Sequence, residues 1–231
     1  MKTIGIVGGI GPESTIDYYK RIIAAYQEQQ SDGSYPSIII NSIDLQRIRG
    51  LIEVNELAGA AEYLVSAVET LARAGAALGV LAANTAHIVF DEVNRRSRIP
   101  LLSIIETTCD EAKSLGLQRI GLFGTRYTMQ GRFYPEVFTR EGMAVIVPQL
   151  DEQSYIHEKY FDEFVKGIFL PKTRLRLFEI VDRMIERDQI DGLILGGTEL
   201  PLALRESSHG GIPLLDTTGI HVKAIVAKAG L

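Results

Sequence analysis

The sequence has little of several features that particular classes of protein require. It contains one cysteine, Cys109, so no disulfide can form within the chain. It has no tryptophan, and no stretch approaches the ~20 uninterrupted apolar residues of a membrane-spanning helix. The start, Met1-Lys2-Thr3, leads straight into a strand-like run and lacks the apolar core of a signal peptide. We therefore expect a cytoplasmic protein with no membrane partner.

The charged residues exclude a second class of partner. Twenty-nine acidic and 24 basic residues are spread along the 231 positions and give a net charge of −5. Because there is no basic stripe to follow a phosphate backbone, we expect no nucleic-acid partner. The four histidines include no pair at metal-ligand spacing, and we expect no metal site.

Two short segments recur in the same order and at nearly one spacing. Ile4-Gly5-Ile6-Val7-Gly8-Gly9 returns as the similar run at 120–125, and Val80–Thr85 returns at 194–199. One such pair could arise by chance in any α/β protein, but two pairs in register favour an internal duplication. The length also exceeds the ~100–150 residues of a common single domain.

Strand-like runs alternate with segments of helical period, a pattern typical of parallel strands joined by helices. We predict an α/β fold with two pseudo-symmetric Rossmann-like domains, each a mainly parallel sheet flanked by helices, and a site in the cleft between them. Residues 1–105 with 213–231 are expected to form the N-terminal lobe, and residues 106–212 the C-terminal lobe. One predicted helix runs from Pro12 to Gln30, and its apolar face is Ile16, Tyr19, Ile22, Ile23 and Tyr26.

Four predicted loops follow strands at the edge where open parallel sheets bind ligands. They are Gly8–Ser14, Ala82–His87, Gly124–Thr128 and Gly196–Glu199. Their glycines allow close backbone approach, and their hydroxyl and amide groups offer neutral hydrogen bonds to a small anionic ligand. Helix capping is the alternative role for the polar members. The candidate ligand-binding residues in these loops are Gly9, Ile10, Asn84, Thr85, Thr125, Thr128 and Thr198.

These loops resemble those of the cofactor-independent aspartate/glutamate racemase family along essentially the whole chain. The matching motifs are Gly8-Gly9-Ile10-Gly11-Pro12-Glu13-Ser14-Thr15, Asn84-Thr85-Ala86-His87, Gly124-Thr125-Arg126-Tyr127-Thr128, Gly197-Thr198-Glu199 and Asp216-Thr217-Thr218. The resemblance implies two pseudo-symmetric halves, a site between them, no pyridoxal phosphate or other cofactor, no metal, and commonly a homodimer.

The resemblance also implies two acid/base groups that remove and return the α-proton on opposite faces of the substrate. In the family these are usually cysteines, one just before the Asn-Thr motif and one just before the Thr-Glu motif. Ala83 and Gly197 stand there in this sequence, and neither a methyl group nor a hydrogen atom can carry a proton. Cys109 falls in a predicted helix away from the loops, and we interpret it as a small buried hydrophobic residue.

Other residues near these positions have two possible roles each. Glu199 and His87 could form an unsymmetrical acid/base pair, or Glu199 with Thr198 could recognise a substrate ammonium group while His87 caps local structure. Recognition is the favoured role for Glu199. Arg47, Arg49 and Lys166 could bind a distal carboxylate, although solvated surface positions explain them equally well.

Three functions are consistent with these residues. The chain is an enzyme that acts on a small acidic amino acid of the aspartate or glutamate type without a cofactor, or it is a catalytically silent protein that binds such an amino acid or a related carboxylate. The third is an enzyme that uses Glu199 and His87 for one-sided proton chemistry. Natural loss of the thiols and their removal to trap a ligand both remain open.

Overall fold

The computed structural model describes residues 2–29 and 33–230 and divides the chain into two compact units. The first unit comprises Met1–Ile104 and His221–Leu231, and the second comprises Ile105–Ile220. Within the described part of the chain, no helix has both the length and the apolar character that a bilayer-spanning segment needs.

The first unit contains a four-stranded parallel sheet. Its strands are β1 (Ile4–Gly8), β2 (Ile38–Ser42), β3 (Leu78–Leu81) and β4 (Leu101–Leu102). They are arranged in the order β2-β1-β3-β4. The connecting helices are α1 (Pro12–Gln27), α2 (Leu45–Glu53), α3 (Leu57–Arg73) and α4 (Phe90–Arg96), with a 3₁₀ helix at Thr85–Val89 before α4. Every residue of β1 and β3 is buried, as expected of central parallel strands covered by helices.

The second unit contains a five-stranded sheet. Its strands are β5 (Arg119–Gly124), β6 (Ala144–Ile146), β7 (Gly192–Gly196), β8 (Ser208–His209) and β9 (Ile212–Asp216). The order is β6-β5-β7-β9-β8, and only β8 runs antiparallel to its neighbour. The helices are α5 (Ile104–Ser114), α6 (Arg126–Met129), α7 (Phe133–Arg140), α8 (Leu150–Asp162), α9 (Pro171–Asp188) and α10 (Leu200–Ala203), with a 3₁₀ helix at Phe164–Lys166. Helix α11 (Thr217–Lys228) follows β9 and leads back into the first unit.

The predicted fold class is confirmed: the chain is an α/β protein with two parallel-type sheets flanked by helices. The two recurring segments fall on matching strands, since β1 and β5 hold one position in their sheets and β3 and β7 hold another. The four parallel strands of each unit therefore have the same order, and the repeated segments lie on the two strands in the middle of these four.

The predicted return of the chain to the N-terminal lobe at residue 213 is wrong. Strand β9 pairs in parallel with β7, through Leu193 with Leu214 and Ile194 with Leu215, and so extends the second sheet. Strand β9 lies next to β7 in the second sheet, as β4 lies next to β3 in the first sheet. The chain rejoins the first unit only at His221.

The apolar face predicted for helix α1 is also partly wrong. Tyr18, Ile22 and Tyr26 are the large side chains that it buries, whereas Ile16 and Tyr19 are exposed. Positions 18, 22 and 26 are four residues apart and form one stripe along the helix. The helix ends at Gln27, and the predicted end at Gln30 lies outside the described residues.

A buried histidine connects three elements of the first unit. Nδ1 of His221, in α11, accepts a hydrogen bond from the Tyr18 hydroxyl of α1 at 2.8 Å, and its Nε2–H donates to the Leu102 carbonyl of β4 at 3.1 Å. Burial lowers the pKa of His221 to about 3, with a further contribution from His87. The imidazole is therefore neutral in the folded protein at physiological pH.

We predict that acid weakens the fold through His221. Its pKa is about 3 when folded and 6.5 in an ordinary environment, so the unfolded chain takes up the proton first as the pH falls. The stability is complete above about pH 6.5 and declines toward the folded pKa by up to about 1.4 kcal/mol per pH unit for one histidine. His221→Gln should make the free energy of unfolding in urea depend less steeply on pH between about pH 5 and 6, and the slope that His87 contributes should remain.

Tyr18→Phe is the matched control, because it removes the hydroxyl that contacts His221 but keeps the titrating ring. It should lower the free energy of unfolding and keep the pH slope. A His221→Gln variant with the wild-type slope would contradict this account.

Candidate active site

The loop after β1 has a backbone path that only glycine permits at Gly9. Its φ is +79°, and a Cβ atom there would lie 2.7 Å from the backbone nitrogen of Ile43 and closer still to the Ile43 carbonyl oxygen. Thr15 fixes the loop, since its hydroxyl accepts from the Gly9 N–H at 2.9 Å and donates to the Gly11 carbonyl at 3.1 Å. Ile10 is half-buried in the same loop.

The loop after β3 carries Ala83, Asn84 and Thr85. Ala83 and Asn84 are both buried, at 4% and 2% exposure, and Thr85 begins the 3₁₀ helix. Ser14, from the start of α1, donates its hydroxyl hydrogen to the Ala82 carbonyl at 3.1 Å. This bond joins the β1 loop to the β3 loop, so the two loops predicted in the first unit are brought together.

His87 has both ring nitrogens engaged with the backbone. Nε2 accepts from the Ile104 N–H at 3.3 Å, and Nδ1–H donates to the Ala83 carbonyl at 2.9 Å. The ring also stacks on Phe90 with centroids 4.7 Å apart. Burial lowers the pKa of His87 to about 4. These contacts agree with the local structural role considered for His87, because the neutral ring closes the loop on which Ala83 lies.

In the second unit, the loop after β5 is organised by two threonines. Thr125 is the N-cap of α6, and its hydroxyl oxygen accepts from the Thr128 N–H at 3.3 Å. The two hydroxyl oxygens are also 3.3 Å apart, and both residues are buried. Capping is thus one role of Thr125.

The loop after β7 holds a buried carboxylate with two hydroxyl donors. The Thr198 hydroxyl donates to Oε2 of Glu199 at 3.0 Å, and the Tyr160 hydroxyl of α8 donates to the same oxygen in a short hydrogen bond. Thr198 and Glu199 are each 1% exposed. The sequence motifs did not point to Tyr160, because α8 and the β7 loop are far apart in the chain and no motif links them.

Gly197 lies against the same tyrosine. A Cβ atom at this residue would be 2.9 Å from the Tyr160 hydroxyl oxygen, 3.0 Å from Cζ and closer still to Cε2. Atoms at such distances overlap, so a side chain at position 197 and the present position of the Tyr160 ring exclude each other.

The three predicted cations have surface contacts. Arg47 and Arg49 lie on α2, where Arg47 covers the Tyr63 ring at 4.3 Å and Arg49 pairs with Glu53 at 2.6 Å. Lys166 ends the 3₁₀ helix after α8, with Nζ 3.9 Å from Asp162 and 59% of its side chain exposed. The solvated surface role considered for these cations accounts for each of these contacts.

No cluster of three or more His, Cys, Asp or Glu side chains suited to a metal ion occurs in the ranges 2–29 and 33–230. His209 contacts Asp182 through Nε2 at 2.7 Å and stacks on Phe178, and His157 accepts from the Arg126 N–H through Nδ1.

A model described as Asp/Glu/Hydantoin racemase matches residues 7–225 of the chain. The protein belongs to this family. It is 29% identical over 230 residues to the broad specificity amino-acid racemase RacX of Bacillus subtilis, with 97% of this chain and 96% of that protein covered.

Two solved structures are similar over the whole fold. A candidate Asp/Glu racemase from Yersinia pestis has a TM-score of 0.87 and 32% identity, with 99% of each chain covered. An aspartate racemase homologue from Pyrococcus horikoshii has a TM-score of 0.83 and 35% identity, with 100% of each chain covered. The racemase fold of the protein is thereby shown.

We predict that Gly197→Ala destabilises this racemase-family protein by about 1–3 kcal/mol, the range for overpacking a filled interior. The cause is the overlap with the Tyr160 ring. Urea unfolding of Gly197→Ala, Tyr160→Leu and the double variant would measure the coupling between the two positions. The penalty for alanine should shrink in the Tyr160→Leu background.

Gly50→Ala is the control for this substitution, because it lies in helix α2 with no atom within 4 Å of an added Cβ. Helix propensity predicts that it is neutral or stabilising by up to ~1 kcal/mol. A Gly197→Ala variant as stable as the wild type, in either background, would show that the ring moves freely.

We also predict that Cys109 is chemically inert in the native protein. The thiol is 2% exposed in α5, and burial, aided by the nearby Asp110, raises its pKa to about 11. Iodoacetamide should label native Cys109 far more slowly than the urea-unfolded chain, since the thiolate is the reactive form. Rapid stoichiometric labelling of the native protein would contradict this.

Proposed function

We propose that the protein binds a small acidic amino acid of the aspartate or glutamate type, or a closely related carboxylate, without a cofactor. We propose further that it does not racemise this ligand through a pair of thiols. The observation that carries the second part is the identity of residues 83 and 197, alanine and glycine, at the ends of β3 and β7. The family resemblance implies that the two proton-carrying side chains belong at these positions.

The ligand class is supported by the polar groups at the four strand ends. Asn84, Thr85, Thr125, Thr128 and Thr198 supply amide and hydroxyl groups suited to an α-carboxylate. Gly9 and Ile10 supply backbone groups of the β1 loop, and the path of this loop requires glycine at residue 9 because a Cβ atom there would overlap Ile43. Of the three candidate cations we retain Lys166 for a distal carboxylate, because its Nζ is 3.9 Å from Asp162 whereas Arg47 and Arg49 have closer surface partners. The amino-acid racemase RacX, similar along nearly all of the chain, supports an amino acid as the ligand.

Inversion at the α-carbon needs one proton-carrying group on each side of the substrate. Ala83 has a methyl group, and Gly197 has no side chain. Cys109 does not replace the thiols in this proposal, since it is buried in α5 with a raised pKa. His87 is neutral, with both nitrogens bonded to the backbone near Ala83.

We therefore predict binding without inversion. Isothermal titration with both enantiomers of aspartate and glutamate should show saturable heat for at least one, and chiral chromatography after prolonged incubation should show a single enantiomer. Thr198→Val is the matched binding variant, because it keeps the size of the side chain and removes the hydroxyl; it should weaken binding by about 1–3 kcal/mol. Formation of the opposite enantiomer by the wild-type protein would refute the second part, and no binding to any small carboxylate would refute the first.

A further inference from the structure

A buried phenol and a buried carboxylate meet beside Gly197 in the second unit. Tyr160 is 6% exposed and Glu199 is 1% exposed, and the tyrosine hydroxyl donates to Oε2 of Glu199. Tyr160 contacts Gly197, and Glu199 lies two residues after it in the chain. The end of β7 thus has a group that can carry a proton, although residue 197 itself has none.

The tyrosine ring is held on several sides. It makes edge contacts with Phe161 and Phe164, with ring centroids 5.7 Å and 6.3 Å away, and its outer edge lies against the backbone of Gly197. These contacts with Phe161, Phe164 and Gly197 stabilise the ring in the position from which its hydroxyl donates to Glu199. Its hydroxyl is therefore directed at Glu199.

The proton of this pair has a preferred position. Burial raises the pKa of Tyr160 well above 10, and the neighbouring Glu199 charge adds to the effect. The phenol therefore keeps its proton at neutral pH and acts as a donor. Glu199 accepts hydrogen bonds from both Tyr160 and Thr198, so its carboxylate is the hydrogen-bond acceptor of the cluster.

We propose that Glu199, positioned by Tyr160, exchanges a proton with the α-carbon of a bound acidic amino acid from one side only. This inference rests on the proposed function, which supplies the ligand, and it adds the group that acts on it. It favours the proton-transfer role of Glu199 over recognition of an ammonium group.

The step is balanced within the substrate and the carboxylate. The α-C–H bond breaks, its proton forms an O–H bond on Glu199, and the electron pair remains on the substrate as the enolate of its carboxylate. The O–H proton exchanges with solvent, and a solvent-derived proton then returns to the same face of the carbon. No oxidant or second substrate is needed, and the product keeps its configuration.

The experiment is incubation of the full-length wild-type protein in D₂O with the amino acid that binds in calorimetry. Mass spectrometry measures deuterium at the α-carbon, and chiral chromatography measures configuration. We expect the gain of one deuterium with retention. Tyr160→Phe keeps the ring against Gly197 and removes the hydroxyl, so it should slow exchange on the order of 10²-fold, the usual scale for acid/base assistance, and leave Kd unchanged.

Glu199→Gln is the second variant, because it keeps the shape of the side chain and removes its basicity. It should abolish exchange and retain binding. Circular dichroism and thermal unfolding check that both variants fold. If Glu199→Gln does not fold, the exchange rate of Tyr160→Phe alone tests the proposal.

The results separate this inference from the proposed function. Ligand binding without any deuterium uptake overturns the inference and leaves the proposed function standing. Wild-type exchange rates in Tyr160→Phe, or loss of binding in Glu199→Gln with exchange intact in Tyr160→Phe, also overturn it and return Glu199 to ammonium recognition. Absence of binding to every small carboxylate refutes both.

Discussion

The contact on which the candidate site depends is the approach of the Tyr160 ring to the backbone of Gly197. A buried aromatic ring and a Cβ atom cannot occupy the same space, so the observed position of the Tyr160 ring requires glycine at residue 197. The same placement brings the phenol to Glu199, one of whose oxygens also accepts from Thr198. The position of the Tyr160 ring therefore excludes a side chain at residue 197 and also places the phenol hydroxyl beside Glu199.

The strands that could be predicted from the sequence are those in repeated or continuously apolar runs. The recurring runs at 4–9 and 120–125 identify β1 and β5, and buried parallel strands are readable as continuous apolar runs. The sequence prediction places β9 in the wrong unit, because one short apolar run does not indicate which of two sheets it joins. The internal duplication could have corrected this, since the first sheet already had its fourth strand and the second did not.

Side-chain roles were predictable only where they are local. His87 bonds to Ala83 four residues away, a spacing that sequence reasoning can consider, and Thr125 caps the helix that it precedes. Tyr160 contacts Gly197 and Glu199 across a long sequence separation. The sequence around it in α8 predicts only an aromatic core residue and does not indicate these contacts. For the same reason the apolar face predicted for α1 includes the exposed Ile16 and Tyr19 and omits the buried Tyr18, since all three fit a helical period and only tertiary packing decides between them.

The two strand ends that the duplication makes equivalent have diverged in their chemistry. At the end of β3, the methyl group of Ala83 is accompanied by His87, which is neutral and bonded to the backbone through both nitrogens. At the end of β7, Gly197 is accompanied by a phenol that holds its proton and a carboxylate that can accept one. The two strand ends therefore hold the same place in the order of the strands but differ in the side chains that follow them.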